Sequence, residues 1–493
     1  MIPEGEAQGA APAAETTESS LLADIVKNTK TQNPSVGRDL VKELVEQLLT
    51  PDMVVQKDTQ RTIKARIQQI DAVLSSQVDE IMHHPDFLKL EGSWRGLHHL
   101  VHNSLTSQSL KLKLMNCSKK DMLKDLEGAA EFDMSTLFQG VYEAEYGTLG
   151  GQPYGAIIGD YDFGHGAEDM ALLERISQVA AAAHAPFVAA ANPEMFGLET
   201  FTSLQGTSIR DMEKTVNTAE HVKWQSFRES PDSRYTALVL PRTLARLPYG
   251  KKTRPIEEFE YEENVANDHE KFCWSNAAWA YGVRINDSYA DNGWLARIRG
   301  VEGGGLVEGL PAYTFKDSDT GETTLKCPTE VSITDRREAE FDKLGFIALT
   351  HKKGTDKAAF IGAASCQKPQ KYFDPDANAN AILSTKINFM MCTSRFAHYL
   401  KVIARDKIGS NMDRDACEQW LNDWIRNYCV DPSVKPGPKV LLERPLREAK
   451  VTVKEDPARP GVYNAHIFLA PHLQFEELNT NLSLVARIPK LGG

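Results

Sequence analysis

The stretch GAIIGDYDFGHGAEDMALLERISQVAAAAHAPFVAAAN, residues 155–192, changes its period twice. An apolar run ending at Asp160 and Asp162 gives way to a segment in which Met170, Leu173, Ile176 and Val179 share one stripe, and that segment gives way to a second apolar run, PFVAAAN. The stripe is that of an amphipathic helix, and short unbroken apolar runs fit strands covered on both faces. YTALVLP at 235–241 repeats the strand pattern after further helical segments. Strand and helix in alternation predict an α/β core, with a central mixed or largely parallel sheet covered by helices. GFIALTH (345–351) and AAFIGAASC (358–366), joined by the polar turn KKGTDK, read as a further pair of strands.

Towards the N-terminus the period is helical from Arg38 to about His102, through Leu40, Leu44 and Leu48, a break at Pro51, then Ile63, Ile67, Ile70, Leu74 and Ile81. SLKLKLM (109–115) alternates strictly and predicts a strand with Leu110, Leu112 and Leu114 on one face. Ser118 with Asp121 marks a helix start. Residues 1–20 offer almost nothing to bury and read as disordered. After them, Leu21, Leu22, Ile25 and Val26 form one apolar stripe with Ser20 as cap, the pattern of a docking helix on a flexible arm or of a helix folded back onto its own domain. Towards the C-terminus, helices are expected over about 378–407 and 414–429, then three strands, EAKVTVKE (448–455), YNAHIFLA (463–470) and LSLVARIP (482–489). These strands follow the Pro-containing connection DPSVKPGPK, and strands set apart from a main sheet offer unpaired backbone to another subunit.

With 493 residues the chain is long enough for two or three domains. A net charge of -12 argues against nucleic acid as the main partner. The start has no basic-then-apolar leader, and no apolar run is long enough to span a bilayer, so neither export nor membrane insertion is expected. Seven scattered cysteines without a CxxC pair read as reduced thiols of a cytoplasmic protein.

Candidate chemistry is thin. HHPDFLKLEGSWRGLHHLVHN (83–103) holds five histidines, but Phe87, Leu90, Trp94, Leu97 and Val101 make an apolar seam, so packing explains the segment better than a metal clipped by His98 and His102. Asp160 and Asp162 resemble the Asp-x-Asp of haloacid-dehalogenase phosphatases, but Gly159 interrupts the strand and Gly164 replaces the usual Thr or Val. The later pair Asp287 and Asp291 falls in an expected helix. LPYGKKT (247–253) has Ala245 where a phosphate-binding loop needs glycine, and the glycines of RGVEGGGLVEGLP (299–311) fit a tight turn. No catalytic, cofactor or metal residue is assigned.

Seven blocks make the chain recognisable: HPDFLKLEGSWRGLHHLV, GTLGGQPYGAIIGDYDFGH, AAAAHAPFVAAANPEMFG, WQSFRESPDSRYTALVLPR, IRGVEGGGLVEGLP, CPTEVSITDRRE and SRFAHYLKVIARDKIGS. In this order, from about Leu40 to Pro489, the chain resembles the large subunit of the type VI secretion contractile sheath, the TssC/VipB/EvpB family; only LNTNLSLVARIP departs, with Asn481 and Ser483 in place of more apolar or basic residues. The resemblance implies a fold like a contractile tail sheath, with a helical N-terminal arm and interlocking C-terminal strands. It implies a structural protein, not an enzyme, that pairs with the small sheath subunit TssB/VipA. Copies of that pair polymerise helically on a baseplate, around the Hcp tube. Contraction drives the tube and its effectors into a target cell, and the AAA+ ATPase ClpV recycles the polymer.

By that resemblance residues 1–37 form a flexible arm whose Leu21, Leu22, Ile25 and Val26 bind the unfoldase, and 38–105 pack on the small subunit. Residues 106–375 form the core and outer domain, and 376–493 carry the linking strands, with Val451, Val453, Ile467, Leu469, Leu484 and Ala486 as linking residues. The alternatives are a phosphohydrolase at Asp160 and Asp162, or a phage-type sheath without a small partner. Deleting residues 21–26 is expected to leave assembly and one contraction intact but to block disassembly. Unchanged binding of the deleted chain to the unfoldase, measured by co-sedimentation, would overturn the assignment.

Overall fold

A computed structural model describes residues 34–48, 59–255, 259, 261–265, 268–316, 323–406, 413–431, 436–455 and 463–472. The chain divides into two compact units, residues 1–79 with 255–261, and residues 80–254 with 262–493.

The first unit carries helices α1 (Pro34–Leu48) and most of α2 (Thr59–Met82). In α2 the stripe read from the sequence is present but faces outward: Ile63, Ile67, Ile70 and Leu74 are all exposed. In the same unit the Tyr261 hydroxyl donates to Asp79 at 2.6 Å.

The second unit is built on a six-stranded sheet. In chain order its strands are β1 (Ile157–Phe163), β2 (Phe187–Ala191), β3 (Thr236–Leu240), β6 (Leu306–Val307), β9 (Phe346–His351) and β10 (Ala358–Phe360); the short strands β4 (Thr243–Leu244), β5 (Trp274–Ser275), β7 (Thr314–Lys316) and β8 (Thr323–Leu325) pair outside it. The spatial order is β1-β2-β3-β9-β10-β6. Neighbours from β1 to β9 are parallel, β9–β10 and β10–β6 antiparallel, so the expected mixed sheet and the 345–366 strand pair are both present. The further helices used below are α3 (Pro85–His102), α4 (Lys119–Gly128), α5 (Ala167–Ala183), α6 (Val222–Glu229), α7 (Ala277–Asn292), α8 (Asp335–Leu344), α9 (Ile387–Asp406) and α10 (Arg414–Arg426).

Every residue of β2 and β3 is buried, which requires cover on both faces, and α5 and α7 both pack on β1, β2 and β3. The stripe Met170, Leu173, Ile176 and Val179 is the buried side of α5. At the C-terminus of α5, His184 adopts a left-handed conformation, φ 50°, a position that favours glycine; its Nδ1 lies 3.1 Å from the Tyr235 hydroxyl in return. Trp224 of α6 and Phe341 of α8 are fully buried in the same core. Ser118 caps α4 as expected, accepting from Asp121 N at 3.1 Å. In the 299–311 turn, Gly305 N donates to Gly300 O and its carbonyl accepts from Phe360 N, both at 2.9 Å; a Cβ at Gly305 would lie 2.4 Å from Phe360 O.

Two local expectations fail. Residues 109–115 form no strand: alternation favours extended backbone, but a strand needs a ladder partner, none is present among the described residues, and Leu112 and Leu114 stand exposed. The other failure is on α3. The buried residues of that helix are Gly92, Gly96 and Leu100, while Leu90, Trp94 and Val101 are 56%, 61% and 45% exposed. The apolar seam is real, but the helix seats by its glycines. A Cβ at Gly92 would lie 2.3 Å from Trp274 O, and one at Gly96 would lie 2.2 Å from Trp279 Cδ1. Close approach of backbone at the glycines, with Leu97 and Leu100 packing against Trp279 and Val283, selects the inward face.

An ionic network secures that seat. Arg246 Nη1 and Nη2 donate to Glu263 at 2.5 and 3.0 Å, and its Nε donates to Glu91 of α3 at 2.7 Å. Arg95 joins Glu91 at 2.7 Å and the Tyr249 hydroxyl at 2.9 Å. Burial would raise the Glu91 carboxyl, but Arg246 and Arg95 hold it below its ordinary range. Gly96→Ala is expected to cost about 1–3 kcal/mol by overpacking, whereas Trp94→Ala should stay within about 0.5 kcal/mol. Denaturant unfolding of the two variants checks this, and the reverse order would show that the seam faces inward.

Candidate assembly interface

The last described elements form an antiparallel hairpin, β11 (Leu446–Glu455) with β12 (Tyr463–Pro471), in continuous register from Glu448↔Ala470 to Glu455↔Tyr463. Its base is a second apolar cluster, separate from the sheet core. Leu421 and Ile425 of α10, Phe396 and Leu400 of α9, and Leu446, Val451 and Val453 of β11 are buried together with Trp294. The Trp294 indole stacks on Phe396 with ring centroids 4.2 Å apart, and Tyr428 meets it edge-on at 5.1 Å. α10 begins where Asp413 accepts from Ala416 N at 2.8 Å, a side-chain cap.

The two edges of the hairpin differ. Val451 N donates to Asn422 Oδ1 at 2.9 Å, Val451 O accepts from Asn422 Nδ2 at 2.7 Å, and Val453 N donates to Glu418 Oε2 at 2.8 Å. Nearer the start of β11, Val430 N donates to Leu446 O at 3.0 Å. The outer edge of β11 is therefore occupied by its own chain. Because the Val451 amide and carbonyl point away from β12, Val451↔Ile467 is a non-hydrogen-bonded pair, and the backbone of Ile467 must point to the outer edge of β12. The same holds for Ala465 opposite Val453 and Leu469 opposite Ala449. Among the described residues no backbone or side chain pairs with that edge. It is a nine-residue strand, mostly exposed, with Ile467 38% and Phe468 56% accessible.

The structure thus separates the linking residues expected from the sequence. Val451 and Val453 are interior residues that fix the hairpin to α10; Ile467 and Leu469 lie on β12, whose outer edge has no partner among the described residues. Leu484 and Ala486, and the stripe of Leu21, Leu22, Ile25 and Val26, lie outside the described residues. Sequence reading missed Asn422 and Glu418, whose role depends on a strand about 30 residues away and leaves no local signal.

The enzyme-like positions have structural partners. Asp160 Oδ1 accepts from the Trp279 indole at 3.1 Å, and burial, the main cause, raises its carboxyl. Asp162 lies 3.6 Å from Arg242. Asp287 pairs with Arg284 at 2.7 Å within α7. His98 and His102 stack on each other with centroids 3.9 Å apart, and no group of three or more metal-binding side chains occurs among the described residues. No described helix is long and apolar enough to cross a membrane.

Comparison with known proteins gives the same direction. Residues 64–367 match the family model "EvpB/VC_A0108, tail sheath N-terminal domain", and residues 376–488 match "EvpB/VC_A0108, tail sheath gpW/gp25-like domain". The type VI secretion system sheath protein TssC1 of Pseudomonas aeruginosa is 45% identical over 491 residues, 99% of this chain and 98% of that protein. Among solved structures, a chain of the anti-feeding prophage baseplate is 8% identical with a TM-score of 0.34, covering 64% of this chain and 66% of that one. A chain of the contracted PVC sheath complex is 8% identical with a TM-score of 0.32, covering 63% and 68%. Two family models spanning most of the length, and a relative nearly half identical from end to end, show that the chain belongs to the EvpB/VC_A0108 tail sheath family, that of the type VI secretion sheath protein TssC.

Proposed function

We propose that the chain is the structural large subunit of a contractile type VI secretion sheath in the cytoplasm. It forms a heterodimer with the small sheath subunit and polymerises around the Hcp tube. Contraction propels the tube, and ClpV disassembles the spent polymer. The observation that carries the reading is the outer edge of β12, unpaired among the described residues, on a hairpin whose other edge is filled by Asn422 and Glu418. A strand supplied by a neighbouring subunit extends such an edge through backbone hydrogen bonds, whatever its side chains. Each bond contributes about 0.5–1.5 kcal/mol net, so one strand holds a neighbour while connecting segments bend.

Contraction needs two lattice arrangements that differ in free energy. A difference of about 1–3 kcal/mol per subunit, multiplied along the polymer, drives the stroke without nucleotide hydrolysis. Small-subunit binding is assigned to the helical segment 38–105, because the outward stripe of α2 gives Ile63, Ile67, Ile70 and Leu74 the spacing of a helix–helix seam with nothing described against it. The chain divides on this reading at about 375, where the cluster around Trp294 and Phe396 gives the C-terminal part a core of its own. The side-chain partners of Asp160 and Asp162 favour this structural role over hydrolysis.

Ile467→Pro removes one outward donor on β12 and leaves the β11–β12 ladder in place, because that amide does not face β11. The variant is expected to fold and to co-purify with the small subunit, but to form no tubules by electron microscopy. Val453→Pro removes the Glu418 contact and is expected to lose both assembly and hairpin stability. Normal tubules from Ile467→Pro would overturn the linking role of β12. Ile67→Asp with Ile70→Asp is expected to abolish co-purification with the small subunit while leaving the circular dichroism of the isolated chain unchanged. Retained co-purification would move that contact elsewhere.

A further inference from the structure

Glu338 and Asp342 stand one turn apart on α8, and both reach towards Gly362, just after β10. Glu338 Oε1 and Asp342 Oδ1 each lie 2.6 Å from the point where a Cβ on Gly362 would stand, so only a glycine leaves room for two carboxyl groups at that spot. Glu338 is buried, and Asp342 Oδ1 is a buried oxygen with no hydrogen-bond partner among the described residues. The second oxygen of the same group, Asp342 Oδ2, accepts from Nζ of the buried Lys386 at 2.6 Å. Lys386 bridges Ala364 in antiparallel fashion, flanked by Ile387 N donating to Ala363 O at 2.8 Å and Ser365 N donating to Thr385 O at 2.9 Å. The two carboxyl groups therefore meet where α8, the segment after β10 and the entry to α9 come together. Asp342 falls in the part matched as 64–367 and Lys386 in the part matched as 376–488, so the contact joins the two.

Two charged carboxylate oxygens do not stay side by side away from water, whereas one proton between them converts the repulsion into a charge-assisted hydrogen bond. Asp342 is partly exposed and already paired with Lys386; Glu338 is the more deeply buried, so the proton resides on Glu338 and Asp342 Oδ1 accepts it. We propose that Glu338 and Asp342 share one proton, and that this proton is a pH-sensitive clasp holding α8 to the entry of α9. Its loss sets a second negative charge against Asp342 in competition for Lys386, and the join loosens. The charged groups facing Glu338 are Asp342 on its own helix, Lys386 before α9, and the buried Arg299 of the 299–311 turn. Burial first, and then Asp342, push the Glu338 carboxyl up to about 7, against the Gly362 amide, Lys386 and Arg299. A carboxyl raised on folding contributes stability that is complete below its ordinary value of 4.5 and is lost as pH rises through about 7. The clasp is thus closed in mildly acidic solution and opens across neutrality.

The test is amide hydrogen exchange of the full chain, read by peptide mass spectrometry across a pH series and corrected for the intrinsic dependence of exchange on pH. The opening constant of residues 335–344 and 361–387 is expected to rise about tenfold between about pH 6 and about pH 8 and then to level off, as linkage requires of such a group. Glu338→Gln keeps a hydrogen-bond donor for Asp342 but cannot ionise, so its opening is expected to stay flat over the same range. A flat wild-type profile, or a rise in Glu338→Gln equal to that of the wild type, would overturn the proposal. If the variant does not fold, the wild-type profile alone decides: a rise confined to these two segments supports the clasp, and opening that is independent of pH or equal throughout the chain rejects it. The clasp belongs to the single chain, so its failure leaves tubule formation untouched and is distinguishable from failure of the sheath reading.

Discussion

Asn422 and Glu418, one turn apart on α10, hold the outer edge of β11 through three hydrogen bonds to its backbone. An amide side chain is suited to this task because it offers a donor and an acceptor side by side, matching the outward N–H and C=O of Val451. A strand edge left open is a template for any extended chain, and an unpaired buried group costs about 1–3 kcal/mol. By occupying one edge from within, the chain leaves, among the described residues, a single edge of the hairpin without a partner. On the proposed reading, that restriction turns a generic sticky strand into an oriented linker, since pairing at β12 alone would fix which way a neighbour lies.

An oriented linker transmits force only if its base does not yield. Val451 and Val453 plug the hairpin into α9 and α10, and the Trp294 indole, entering from the turn after α7, stacks on Phe396 in the same cluster. Aromatic pairs of this kind add about 0.5–1.5 kcal/mol beyond their area. Trp294 therefore ties the hairpin's base to the element that covers the central sheet. On the proposed reading, load taken at β12 passes through close-packed side chains to that sheet.

The outward apolar faces of α2 and α3 pose a complementary problem. Monomeric soluble proteins rarely leave long apolar stripes uncovered. In α3 the cause is visible: Gly92 and Gly96 bring the backbone against Trp274 and Trp279, which turns Leu90, Trp94 and Val101 away from the chain's own core. Glycine at these positions thus settles the seating of the helix and, with it, which side chains stay exposed.

Much was legible in the sequence because it depends on neighbours a few residues away. The period of 155–192 determined β1, α5 and β2, the run at 235–241 determined β3, and Ser118 determined where α4 begins. The long blocks shared with the tail sheath family determined the family itself. Tertiary structure alone decided which apolar face of α3 is inside, and that among the described residues 109–115 finds no ladder partner and one hairpin edge is filled by Asn422 while the other has no partner. Periodicity records what a segment is able to bury or pair. Which of those capacities is used depends on distances between segments far apart in the chain, and a backbone hydrogen bond leaves no mark on the side chains that flank it.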